Sequence, residues 1–236
     1  MKALQDLKEQ VCNCNLDLYN KGLVIQTFGN VSGIDRQRGI IAIKPSGIKY
    51  QDLTPDNMVL VDLDNRIMNS EYYNPSSDTK THLELYKAFP NIGGVAHTHS
   101  PFATAWAQAR RPIPCLGTTH ADYSAVEIPC TEDLSDSQIG GDYETETGKQ
   151  ISKRFSNLSA DELGMVLVSC HGPFTWGKHP IDAVNNSVIL EEISKISFYT
   201  VLLNPKINEI QKPLIDKHFN RKHGKGSYYG QKKYGC

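Results

Sequence analysis

Apolar residues change their period repeatedly along this chain, and that alternation is what most restricts its fold. Leu4, Leu7, Val11, Cys14 and Leu18 are spaced three and four apart, the stripe of an amphipathic helix that Gly22 can end. Short β-like pieces follow at Leu23–Thr27, Gly39–Ile43 and Met58–Asp62, punctuated by glycine and proline. Thr79–Phe89 reads as a helix with Ser77 or Asp78 to cap it and Pro90 to stop it. Gly93–His97 then reads as a strand and Pro101–Ala109 as a helix, with short strands near Ile113–Leu116 and Ala125–Ile128. The pattern closes with a helix at Glu144–Phe155, a strand at Gly164–Ser169 and a long helix at Ile181–Leu203 with Pro180 in its first turn. Strands and helices alternate with no repeat of 20 to 50 residues, so the expectation is one α/β domain over residues 1–236, with a C-terminal extension from about 224.

Composition removes several functions. The formal net charge is −1, which offers no global attraction to nucleic acid or an anionic membrane. No window nears the roughly 18 apolar residues of a membrane span, and Asp6, Lys8 and Glu9 break any signal-peptide core. Cys12, Cys14, Cys115, Cys130, Cys170 and Cys236 form no Cys-x-x-Cys pair, so all six read as reduced structural thiols of a cytoplasmic protein. A basic run, Lys217–Lys225, reads either as a solvated tail or as part of an anionic small-molecule site.

The chemistry concentrates at strand ends. His97 and His99 are two apart after a strand, so their side chains share a face and can reach one ion. His171 follows another apolar run, Met165–Cys170. Two strand ends delivering histidine to one locus point to a catalytic metal site with an open position; the bland alternative is three hydrogen-bonded histidines. Lys44-Pro45-Ser46-Gly47 after a strand, Ser76-Ser77 before a helix and the turn Phe28-Gly29-Asn30 together form a candidate phosphate pocket. Asp78 is a fourth metal ligand, a carboxylate beside the metal, or a helix cap. Asp122, in a loop, is an acid/base candidate or an ordinary solvated aspartate. No Walker motif and no Gly-x-Gly-x-x-Gly unit is present, which disfavours nucleotides.

Taken in order from Gly29-Asn30 through Lys44–Gly47, Pro75–Thr79, His97–Ser100, Gly117–Tyr123, His171–Phe174 and Asp216–His218 to Tyr228–Gln231, these motifs resemble the class II sugar aldolase/epimerase family, in its L-ribulose-5-phosphate 4-epimerase branch. The resemblance implies a central, largely antiparallel sheet flanked by helices and one Zn²⁺ per subunit on His97, His99 and His171, with Asp78 at the same site. Gly29, Asn30, Lys44, Ser46, Gly47, Ser76 and Ser77 would hold the substrate, mainly its phosphate. Asp122 would be one acid/base residue and Tyr229 the other, the tyrosine acting from a neighbouring subunit of a fourfold homotetramer. His218 and Arg221 are candidates for that interface on charge and position. The implied reaction interconverts L-ribulose 5-phosphate and D-xylulose 5-phosphate, a step that serves arabinose or ascorbate breakdown. The C4 hydrogen is not α to the C2 carbonyl, so enolisation cannot reach it, whereas the C3–C4 bond is placed for retro-aldol cleavage. The nearest rival is an aldolase that releases its fragments; there a glutamate commonly stands where this chain has Asp78. A more distant rival is a non-catalytic assembly module like the adducin head, which would be expected to lose its metal ligands. The tail Lys232–Cys236 extends past the family's Tyr-Gly-Gln ending.

Overall fold

In the computed structural model, which describes residues 2–69, 72–224 and 227, the opening stripe forms helix α1 (Lys2–Asn20). The chain continues through strands β1 (Asn30–Asp35), β2 (Ile40–Ile43) and β3 (Val59–Asp62), then helix α2 (Thr79–Ala88) and strand β4 (Gly94–His97). Helices α3 (Pro101–Gln108), α4 (Thr118–Ala121), α5 (Asp136–Ile139) and α6 (Tyr143–Arg154) precede the hairpin β5 (Met165–Val168) and β6 (Gly172–Gly177). The long helix α7 (Pro180–Leu203) and a further helix, α8 (Lys212–His223), complete it.

The six strands form one sheet, ordered β3-β2-β1-β4-β6-β5, with every pair antiparallel. Alternation along the strands feeds two cores. Ile41, Ile43, Val59, Val61 and Val95 join Leu85, Tyr86, Trp106 and Ile151 on one side. Ala42, Leu60 and Ala96 join Leu7, Val11 and Leu18 of α1, with Ala183 and Val184 of α7, on the other. A sheet covered on both faces accounts for the nearly uninterrupted apolar strands.

Register across the three central strands decides where chemistry can sit. At one end Asn30 of β1 faces His97 of β4, which faces Phe174 of β6. At the other, Gly33 faces Gly94, which faces Gly177. The start of α7 lies over this glycine row. A Cβ on Gly94 would stand 2.3 Å from Pro180 Cα, and one on Gly177 would stand 2.3 Å from Asp182 Cβ. The row lets a helix meet strand backbone directly.

Several expectations need correction. Leu23–Thr27 is no strand; the pairing segment begins at Asn30, and Gly172–Gly177 forms a strand, β6, beyond those the sequence pattern predicts. Ile113 and Ile128 meet in a single bridge rather than in strands. The basic run is no solvated tail: through His223 it belongs to α8, whose Ile215 is buried beside Cys115 and Ala121. Of the cysteines, Cys12, Cys14 and Cys115 are buried and Cys130 is partly so, but Cys170 is exposed. Cys236 and Tyr229 lie outside the described residues, as does the extension from about 224 apart from Gly224 and Ser227. Among the described residues, no helix is long and apolar enough to cross a membrane.

Candidate active site

Strand ends and two loops converge at one end of the sheet on a cleft of about 400 Å³. His97 ends β4, His99 follows two residues later, and His171 sits in the turn between β5 and β6, beside a left-handed Cys170 (φ +61°). The tautomer of His97 is settled by its surroundings. Its Nδ1–H donates to the Pro173 carbonyl at 2.9 Å, so Nε2 carries the lone pair and lies 3.1 Å from His99 Nε2. One nitrogen from each of His97, His99 and His171 lies within 4.8 Å of the others. A tetrahedral zinc with bonds of about 2.0–2.1 Å sets its nitrogens roughly 3.3 Å apart; the 3.1 Å His97–His99 pair matches that spacing, and the third nitrogen, within 4.8 Å of both, needs only a small inward shift to join it. Burial, then the neighbouring His97, pushes His171 down to about 4, against the attraction of Asp78. The same two causes lower His99. Neutral imidazoles are the form that binds metal.

Asp78 lines the same cleft outside that group of three. It occupies the N-cap position of α2 without capping it: its Oδ2 accepts from Asn30 Nδ2 at 2.7 Å. Burial opposes its ionisation, but His97, His82 and the Asn30 amide outweigh it and hold the carboxyl below its usual range. Asn30 also donates to Ser76 Oγ at 3.0 Å, and its Oδ1 is buried without a partner. Gly29 makes this approach feasible. Its φ is +79°, and a Cβ there would stand 2.9 Å from the His97 carbonyl.

The phosphate candidates meet the metal candidates here. Gly29, Asn30, Lys44, Ser46, Gly47, Ser76 and Ser77 all line the cleft. Ser76 N–H donates to the Lys44 carbonyl and Ser46 N–H to that of Asn74, so the two loops form one wall. Lys44 is almost fully buried; its ammonium donates to the Thr27 carbonyl at 3.2 Å and lies 4.9 Å from the Tyr50 ring centre. Burial lowers its pKa to about 8, opposed by Asp78. Tyr143 and Glu144, at the start of α6, also line the cleft, and sequence reasoning missed both. An α6 N-terminus carries no motif of its own; only packing brings it to His171.

Asp122 is not brought into the cleft. Its carboxylate is gripped by α8: Arg221 donates to both oxygens, at 3.0 and 2.7 Å, and His218 Nδ1 lies 3.0 Å from Oδ1. Burial would raise its pKa, but these hydrogen bonds, with the Lys222 charge, hold it low. Asp122 and α8 therefore form one acidic–basic unit on another part of the surface.

The fold and the three-histidine cleft define a class of protein, and comparison with known families agrees. The family model described as Class II Aldolase and Adducin N-terminal domain matches residues 9–198, and the chain belongs to that family. Three solved structures share its fold. An L-fuculose 1-phosphate aldolase superposes with a TM-score of 0.77 at 23% identity, covering 90% of this chain and 94% of that one. YgbL of Escherichia coli does so with a TM-score of 0.70 at 22% identity, covering 91% and 98%. The l-fuculose-1-phosphate aldolase of Thermus thermophilus gives 0.66 at 23% identity, covering 87% and 99%.

Proposed function

We propose that this chain is a zinc-dependent epimerase that interconverts L-ribulose 5-phosphate and D-xylulose 5-phosphate by cleaving and reforming C3–C4. One observation carries the reading: the imidazole cluster and the Lys44–Gly47 and Ser76–Ser77 loops share a single cleft sized for a phosphorylated pentulose. His97, His99 and His171, with Asp78 alongside, would hold the zinc ion, which would supply Lewis acidity for the negative charge that develops on cleavage. Lys44 and the two loops bind the phosphate. That anion favours the charged form of Lys44 and tethers the aldehyde fragment while its other face turns toward the new bond.

Inversion needs a proton-transfer group on each face of that aldehyde, roles we assign to Asp122 and Tyr229. Asp122 is ionised at neutral pH and can accept the C4 hydroxyl proton. Its absence from the lining of its own chain's cleft supports a shared site, in which Asp122 and α8 serve the cleft of a second copy within a homotetramer. Asp78, where the fragment-releasing aldolases carry glutamate, favours epimerisation over net cleavage.

The test is incubation of purified protein with L-ribulose 5-phosphate, with and without chelator, followed by product analysis. D-xylulose 5-phosphate should form and chelation should abolish it. Accumulation of glycolaldehyde phosphate and dihydroxyacetone would instead identify an aldolase.

A further inference from the structure

Two of the three clustered imidazoles have Nδ1 engaged, and the two partners differ in kind. His97 Nδ1 meets a carbonyl, which can only accept. His171 Nδ1 meets the hydroxyl of Tyr143 at 3.2 Å, a group that can donate or accept. A histidine between two such neighbours takes its tautomer from them, and the tautomer decides which nitrogen can bind a metal.

Tyr143 is held in place from both sides by α2, the helix that begins beside Asp78. The preceding residue, Asp142, pairs with Lys80 at 2.9 Å, and the carbonyl of the following residue, Glu144, accepts from Thr81 Oγ1 at 2.7 Å. Gly148 lets the two helices come this close; a Cβ there would stand 2.5 Å from Glu84 Cβ. The Tyr143 carbonyl accepts from Thr147 Oγ1 at 2.8 Å, which fixes the first turn of α6. The hydroxyl thus rides on a packed helix pair rather than on a loop.

Resting on the reading that the cleft holds a divalent cation, we propose that Tyr143 is a positioning residue for the metal centre: its oxygen accepts from His171 Nδ1–H and leaves Nε2 as the lone-pair nitrogen of His171. The hydroxyl retains its own O–H beside that accepted bond. That remaining O–H is available to a second acceptor in the cleft. The arrangement extends the outer-sphere control seen at His97, through a side chain where His97 uses backbone.

Two measurements test this. Zinc affinity of wild type and Tyr143→Phe is read by competition with a chromophoric chelator, alongside denaturant unfolding of both metal-free proteins. Loss of an outer-sphere partner commonly costs about 10–100-fold in metal affinity. Tyr143→Phe should show a loss of that order, while metal-free stability stays near wild type. The second measurement, ¹⁵N NMR of the His171 ring in metal-free wild type, requires no variant to fold and should find the Nδ1–H tautomer. Equal zinc affinities, or an Nε2–H tautomer in the wild type, would overturn the proposal. A wild type that binds no zinc would sink the metal reading instead, and the tautomer would still decide the role of Tyr143.

Discussion

The glycine row beneath α7 makes the sharpest stability prediction, centred on Gly94→Ala. The new methyl would stand 2.3 Å from Pro180 Cα and 2.4 Å from Pro180 N, both backbone atoms that no rotamer change can move aside. Overpacking costs typically about 1–3 kcal/mol and occasionally more; two backbone contacts this short put Gly94→Ala just above that range, at about 4 kcal/mol. Replacing a strand glycine by alanine returns roughly 0.5–1 kcal/mol of chain entropy, leaving a net loss of about 3 kcal/mol. For a domain of this size each kcal/mol lowers Tm by about 2–4 °C, so a fall of roughly 6–12 °C is expected. Gly33→Ala is the control in the same row. Its nearest obstacles are side-chain atoms, Pro180 Cγ at 2.7 Å and Val11 Cγ2 at 3.0 Å, which can shift, so the loss should be smaller. Denaturant unfolding of the three metal-free proteins measures both. If Gly94→Ala stays within about 0.5 kcal/mol of wild type, or proves milder than Gly33→Ala, the direct packing of α7 on strand backbone is wrong.

The remaining predictions concern protons and assembly. Burial, against the opposing pull of Asp78, pushes His82 from 6.5 down to about 3 in the folded protein. A depressed folded pKa means that unfolding takes up a proton between those limits. His82 should therefore contribute stability that is complete above about pH 6.5 and is lost toward pH 3, with a slope near 1.4 kcal/mol per pH unit. Metal-free wild type should show this slope relative to His82→Asn between pH 6.5 and 4.5, and parallel curves would contradict it. Asp122→Asn should lower kcat by about 10²-fold or more, as for general acid–base groups, with zinc content retained. Mixed oligomers of Asp122→Asn and the metal-site variant His97→Ala should regain activity, since some clefts then combine intact His97 with intact Asp122 from the next copy. Verified hybrids as inactive as their parents would refute the shared site.

Much of the cleft was legible in local sequence because its donors lie on short segments with fixed periods. A period of two places His97 and His99 on one face whatever the rest of the chain does, and the helices at Thr79–Ala88 and Pro180–Leu203 carry their own proline or polar punctuation. Lys44, Ser76 and Asp78 were readable as candidates from their glycine and helix-start contexts, but each loop alone has an ordinary reading as a turn or cap, and it took the family resemblance to join them to the histidines in one site. Other features depended on long-range packing. The segment β6, Gly-Pro-Phe-Thr-Trp-Gly, has too little alternation to announce a strand and acquires its form by pairing with both β4 and β5. Helix α8 has a weak apolar stripe, and its place follows from Ile215 docking beside α4 and from the charges around Asp122. Tyr143 reaches His171 because Gly148 lets α6 close on α2, a contact between segments far apart in the chain. Local periodicity determines which face a side chain occupies; only the closing of helices on the sheet decides which faces meet.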